Sequence, residues 1–463
     1  MDRFLCLTSL TTHCAVLLVR GAHGEPKQIP FGNATRTMVT APALRRPQRM
    51  HMRDQANTGE GALAGYSFGT RTREWARITA DELTLLGWEK QQAADMAKAA
   101  LSRVGLAFGT TDTTRDLTKV LIFAPEDAGK NIAQTIDQHR SAMQEWLHTV
   151  LTAQEEHERQ KKDNKGKSKT EAAADDKPRL PPLPARVKEA ILTALAPADA
   201  IDIALFGRFL AEIAESPNVD GAVQTTAAIT VGPAQHTDDF FSAADDAKIL
   251  RRTCPRQATD AFDILTTANA TPHREATENT SPTNGSGMTG YQALTSGTFC
   301  AVTVLDRVRL RSNLQAAGTA EHDAEIAAVA AEKALIDAFC TAVPTAKATT
   351  TAAPGVLPKF VLAFTANRPY NYLGCFEEAI TEDGTPEPAS IQATRRLLDH
   401  HTMISRKRGL QPGRVLTYDL AITTLLDNLR NSGTLTVTEV DTPEGLHPDH
   451  PAPTTRDLSE QPA

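Results

Sequence analysis

Aromatic residues make up only 5% of the 463 positions, and the six cysteines form no C-x-x-C pair. The scattered thiols Cys6, Cys14, Cys254, Cys300, Cys340 and Cys375 argue against a zinc site or a dense disulfide framework. No apolar run approaches the ~20 residues of a membrane helix, so no membrane partner is expected. Net positive charge is also missing. At -7 overall, the chain is not one that coats nucleic acid by bulk charge, and any such contact has to be confined to a stripe. His236, His273, His400 and His401 sit in no nucleophile motif, and a lone histidine is usually structural. Asp238, Asp239, Asp245 and Asp246 pair carboxylates as a metal loop does, yet such turns are commonly just solvated. No catalytic residue, metal or cofactor is assigned.

What is abundant is small: Ala and Thr, within a hydrophobic fraction of 41% that supports a real core. Phe4 to Leu10 reads as a strand, with a second apolar stretch at Cys14 to Val19. Thr79, with Glu82 three residues on, fits a helix start. A single helix is expected over Ile132 to Glu158, followed by a charged, Pro-ended insertion over 155–186 that lacks the apolar surface to order itself. Thr225 to Val231, Thr295 to Val304 and Phe360 to Thr365 read as strands, Ala327 to Val343 and Ser390 to Leu398 as helices, and the end from about Thr442 as a loose tail. Strands interleaved with helical excursions give an α+β plan.

Against the acidic background, Gly32 to Arg49 is a basic block, with Arg36, Arg45, Arg46, Arg49 and Arg53 beside the lone acid Asp54. Pro42 suits the first turn of a helix there, and Pro47 is expected to break or kink it. The block fits the pattern Gly-Gly-x-x-Arg-x-Arg-(Ile/Val)-Ser-Ser-Gln-x-x-Lys-Arg-x-x-Arg at Gly32, Arg36, Val39, Arg46 and Arg49, with Arg45 for Lys and Thr40 for Ser. Further matches follow in order: Asp202-Ile203-Ala204-Leu205-Phe206-Gly207-Arg208, Val219-Asp220-Gly221-Ala222, the acidic-aromatic run Asp238 to Asp246, Thr295 to Phe299, Val343 to Lys347, and Cys375 to Ala379.

In this ordered series the chain resembles the CasC family, the backbone subunits of the type I-E CRISPR Cascade. The resemblance implies an RRM-like (ferredoxin-like) palm with an inserted helical fingers domain and a long thumb loop. On this sequence the palm would take 1–74, 201–235 and 291–440, the fingers 75–200, the thumb 236–290, and a disordered tail 441–463. It also implies a non-catalytic, cytoplasmic protein of an antiviral ribonucleoprotein. Its partners would be crRNA, further copies of itself, other Cascade subunits and target DNA. Arg20, Arg36, Arg45, Arg46, Arg49 and Lys347 would contact RNA phosphates, for which the planar arginine fork is well suited. Asp238, Phe240 and Phe241 would belong to the thumb.

The chain departs from the family pattern at Met38, Ala41-Pro42, Ala346-Lys347-Ala348 and Cys300-Ala301-Val302, where Arg251, Arg252, Arg307 and Arg309 are candidates to compensate. Two other readings stay open: a secreted or surface Ala/Thr-rich helical protein, given the ambiguous amino terminus, and an RNA-processing endonuclease using one of the histidines.

Overall fold

Alternation along the first strand builds the fold in two layers. In Phe4-Leu5-Cys6-Leu7, successive side chains point to opposite faces; Leu5 and Leu7 enter one hydrophobic cluster, Phe4 and Cys6 another, and all four are buried. The protein is seen in a computed structural model that describes residues 2–163, 180–196, 200–209, 218–244, 286–382, 384 and 386–451.

In chain order the elements are β1 (Phe4–Val16), β2 (Gln28–Phe31), β3 (Ala34–Val39), α1 (Ala41–Thr58), β4 (Gly69–Thr72), α2 (Trp75–Leu85), α3 (Lys90–Arg103), β5 (Ile122–Pro125), α4 (Ala128–Gln138), α5 (Arg140–Asp163), α6 (Ala185–Ala194) and α7 (Ile201–Phe206). There follow β6 (Val223–Thr225), β7 (Ala228–Thr230), β8 (His236–Ala244), β9 (Ser286–Asp306), α8 (Arg307–Ala316), α9 (Glu321–Thr341), α10 (Ala348–Thr351), β10 (Phe360–Ala366), α11 (Ala389–Arg408), β11 (Arg414–Thr417), α12 (Leu420–Asn431) and β12 (Thr438–Glu439).

The large sheet runs β12-β11-β10-β1-β9-β7-β3-β2, with β6 and β8 also paired to β9. Within it, β1, α1, β7, β9, α9 and β10 follow the β-α-β-β-α-β order, and strands β10-β1-β9-β7 are antiparallel at every step. That is the ferredoxin-like arrangement expected for the palm. The helices α1, α7, α8 and α9 supply residues to the core on one face, and α11 and α12 cover the other. Ala324, Ala327, Ala328, Ala331, Ala334 and Ala338 are all buried on α9, so the chain's alanine content is used for close packing.

Between α1 and β6 lies a helical insertion with its own core of Trp75, Leu83, Met96, Leu101, Ile132, Ile136, Met143, Trp146 and Ile191. The small β4–β5 pair joins it to the palm side, where Gly69 faces Asp202. Among the described residues, no helix is long and apolar enough to cross a membrane.

Several expectations need correction. Pro47 does not end α1, which runs on to Thr58 because Gln48, Met52 and Ala56 continue its buried face. The helix closes at Gly59, whose φ of 74° lets the next amide, that of Glu60, reach the Gln55 carbonyl at 2.9 Å. Thr79 is not a cap: α2 begins at Trp75, and Thr79 is buried in its interior. The helix expected over Ile132 to Glu158 is two, α4 and α5, parted at His139. Of the charged insertion, 164–179 lies outside the described residues; 155–163 forms the last turns of α5.

The end of the chain is not loose from 441 either. Leu446 and His447 are fully buried; His447 Nε2 and Arg307 Nε meet Glu332 Oε2 at 3.1 and 2.9 Å, and Arg311 meets Oε1 at 2.6 Å. Arg414 adds bonds to the carbonyls of Gly445, Pro448 and His450 at 2.8, 3.1 and 2.7 Å. Residues 452–463 lie outside the described residues. Glu332→Ala would remove the buried carboxylate shared by His447, Arg307 and Arg311, leaving Arg307 with Asp449 and Arg311 with Glu325, so a loss of about 1.5–3 kcal/mol is expected, read from the urea midpoint.

Candidate nucleic-acid interface

The basic block divides into three parts with different jobs. At its start, the β2–β3 turn is pressed onto the segment after β10. Gly32 has φ of 60°, and a Cβ there would lie 1.7 Å from the Glu377 carbonyl oxygen, so the turn admits only glycine. Asn33 Oδ1 accepts the Ala379 amide at 2.8 Å. Arg36 completes the clamp. Its guanidinium is wholly buried and donates to four carbonyls: Thr230 at 3.1 Å, Val231 at 2.7 Å, Phe376 at 2.9 Å and Glu377 at 3.2 Å. Arg36 is thus a correction to its expected phosphate role, because its Nη donors are committed to the backbone.

The middle part anchors α1. Arg45 donates to the Phe206 carbonyl at 2.8 Å and lies over the Phe206 ring at 5.2 Å. Arg49, one turn on, sits over Phe123 and places Nη1 3.6 Å from Asp202 Oδ2. Asp202 is fully buried at the head of α7, and its Oδ1 accepts the Gly69 amide at 2.8 Å. Burial pushes its carboxyl up to about 6, against the pull of the Gly69 amide and Arg49. Burial likewise lowers the guanidinium groups of Arg45 and Arg49. Both arginines, expected at phosphates, brace α1 against the junction of palm and insertion. Arg71, exposed on β4, adds positive charge near both; nothing in the sequence pattern pointed to it.

The third part faces solvent. Arg46 is exposed and lines a groove of about 630 Å³ between α1 and the chain after α9, with Pro47, Met50, His51 and the segment Thr341 to Ala346. The next residue along that segment is Lys347, exposed and held at φ of 56° while its carbonyl accepts from Thr350 and Thr351. Arg46 therefore lines the groove, and Lys347 directly follows the segment that forms the facing wall. Arg20 is exposed on the loop after β1, where its backbone bridges Pro26. The adjoining groove of about 450 Å³ runs from Gly21 and Lys27 to His236 at the foot of β8.

From that foot rises the thumb, whose described parts, 236–244 and 286–290, form a β-ribbon. β8 pairs with β9 from His236↔Thr295 outward to Ala244↔Ser286, and residues 245–285, including Asp245, Asp246, Arg251, Arg252 and His273, lie outside the described residues. Phe240 stands opposite Tyr291, rings 5.2 Å apart, both more than half exposed. Asp238 shares their face two residues on, and Phe241, on the other face, covers Gly290. Large aromatics left in water on a projecting ribbon are costly unless something stacks on them.

The remaining candidates are engaged by partners within the protein. Arg307 is buried on Glu332, and Arg309 reaches Asp220 at 3.4 Å. His401 is buried, bonded to the Tyr372 hydroxyl at 3.1 Å, and burial drives it down to about 4; His400 packs edge-on to the same ring. Among the described residues no group of three His, Cys, Asp or Glu side chains is placed to hold a metal ion.

The fold is shared with solved structures. A chain of "CRISPR RNA-guided surveillance complex, pre-nicking" is 22% identical, with a TM-score of 0.66, covering 95% of this chain and 96% of that one. A chain of "CRISPR RNA-guided surveillance complex" is 19% identical, with a TM-score of 0.60, covering 96% and 97%. Among curated proteins, none matches. The chain belongs to the family of CT1975-like proteins, whose profile matches residues 5–257 and 276–430.

The Asp202 site predicts a pH signature. Its carboxyl titrates near 6 when folded and near ~3.9 when unfolded, so the folded state binds the extra proton between these values. The stability this group contributes therefore falls as pH rises from about 4 to about 6, by on the order of 2–3 kcal/mol. Asp202→Asn removes that term. The difference in unfolding free energy between wild type and variant should favour wild type more at pH 4 than at pH 7, as measured by urea titration at the two pH values.

Proposed function

We propose that this protein is a non-catalytic backbone subunit of a type I-E CRISPR surveillance complex, binding crRNA along the α1 groove. Copies stack along the guide, contact other Cascade subunits, and present the guide to target DNA in the cytoplasm. The observation that carries the reading is the groove lined by the exposed Arg46 on one side and by Thr341 to Ala346 on the other, the segment that leads directly into the exposed Lys347. Family membership and the structural matches support it. Such a channel suits recognition without sequence preference, because guanidinium and ammonium groups grip phosphates while base pairing reads the sequence. Arg20 extends the cationic line toward the ribbon, whose Phe240–Tyr291 pair offers a stacking surface to a base.

In this reading Arg45, Arg49 and Arg36 serve the site indirectly. They fix α1 and the β2–β3 turn, so that Arg46 meets the strand from a rigid element.

Protein expressed with its neighbouring genes should co-purify with RNA of uniform length, and protein free of RNA would sink the reading. Arg46→Glu with Lys347→Glu should weaken RNA binding and lower the slope of log affinity against log salt by about 1.4, at ~0.7 per lost phosphate contact. An unchanged slope in a filter-binding titration would remove the groove from the RNA path.

A further inference from the structure

Outside the α1 groove, the described arginines are mostly held by a carboxylate or a carbonyl: Arg3 by Asp306, Arg53 by Glu126, Arg140 by Asp137, Arg311 by Glu325 and Glu332, Arg430 by Glu439. One corner departs from this habit. Arg406, Lys407 and Arg408 are consecutive and exposed in the last turn of α11, and Arg368 is exposed on the loop after β10. Arg368 and Arg408 line one groove of about 300 Å³ with Asn367, Tyr370 and Gln411. The guanidinium of Arg368 lies over the Tyr370 ring, 5.6 Å from its centroid. The single carboxylate lining this groove is Asp2, which accepts a hydrogen bond from the Thr365 hydroxyl at 2.7 Å.

Cations in a last helical turn favour the helix dipole, which accounts for some of Arg406 to Arg408. It does not account for Arg368, which comes from another element and converges on the same groove. Two cations in the groove with two more beside it on α11, an aromatic ring and amide side chains together match what a nucleic-acid strand offers: phosphates spaced along a backbone and flat bases beside them.

The corner is also well separated from the α1 groove. It lies at the Phe4 end of β1, because Phe4 pairs with Ala366. The α1 groove adjoins the other end, where Thr11 and His13 line a small cavity beneath Leu44 and Gln48, beside Val343 and Pro344. From Phe4 to Thr11 the strand advances about 23 Å. The two sites also belong to different layers, since α11 packs on the sheet face opposite α1.

We infer that the corner of Arg368, Arg406, Lys407 and Arg408 binds the phosphate backbone of a second nucleic-acid strand, distinct from the one in the α1 groove. The test uses the full chain as purified, with whatever RNA it carries, titrated with fluorescent oligo(dT) and oligo(rU) of about twenty nucleotides. Arg368→Gln with Arg408→Gln should weaken oligonucleotide binding about tenfold and lower its salt slope by about 1.4, while the co-purified RNA stays bound. Both residues are exposed, so the thermal unfolding midpoint should not move. Arg395→Gln, on the same helix but paired with Glu387 at 2.7 Å, should leave binding unchanged.

Tighter binding of oligo(dT) than oligo(rU) assigns the corner to a DNA strand; equal binding assigns it to the shared backbone, and both support the inference. Wild-type protein that binds neither probe overturns it, as does a double variant with undiminished affinity. A double variant that also sheds its own RNA shows that the corner lies on the first strand's path, which overturns the separation. Protein that carries no RNA at all tells against the proposed function alone, because the oligonucleotide titration still reads the corner.

Discussion

A carboxylate without water needs partners, and Asp202 draws three elements together to supply them. The Gly69 amide comes from β4, the Arg49 guanidinium from α1, and the acid itself from the head of α7. Burying a charge costs several kcal/mol unless it is compensated, so none of the three elements moves without exposing or stranding the others. Their meeting point is where the palm gives way to the helical insertion. Arg208 reinforces it by donating to the carbonyls of Phe123 and Leu195, one on β5 and one just after α6. The angle at which α1 presents Arg46 thus follows from a contact made one turn further along the same helix.

The basic block shows how a motif divides its labour. Gly32 and Arg36 close a turn, Arg45 and Arg49 hold a helix, and Arg46 faces the groove. Five positively charged or turn-forming residues between positions 32 and 49 read as one patch, yet helical and strand geometry give them different surroundings. Spacing alone carries this information only once the element boundaries are known.

Much of the fold was legible because it rests on local pattern. The strands at Phe4, Thr295 and Phe360 announced themselves by apolar and β-branched runs, and the helical stretches by apolar spacing. What misled was competition between local chemistry and packing. Pro47 costs α1 one backbone bond, and the buried faces of Gln48, Met52 and Ala56 outweigh it. The acidic and proline-rich end looked unable to order itself, but Leu446 and His447 fit a slot beside Glu332, a partner more than a hundred residues away. Of the candidate site, the residue types were legible and their accessibility was not: four carbonyls around Arg36 come from two distant segments, and no window of sequence contains them.

β9 is a single strand of 21 residues, from the exposed ribbon at Ser286 to the centre of the palm at Asp306. Over its length, about 70 Å when extended, it pairs with β8, then β7, β6 and β1. It is therefore a shaft rather than a tether. A load applied at the Tyr291 end is carried along one covalent backbone into the ladder beside β1, where it meets many hydrogen bonds acting in parallel. Whatever grips the ribbon is mechanically coupled to a strand whose first seven residues are all buried.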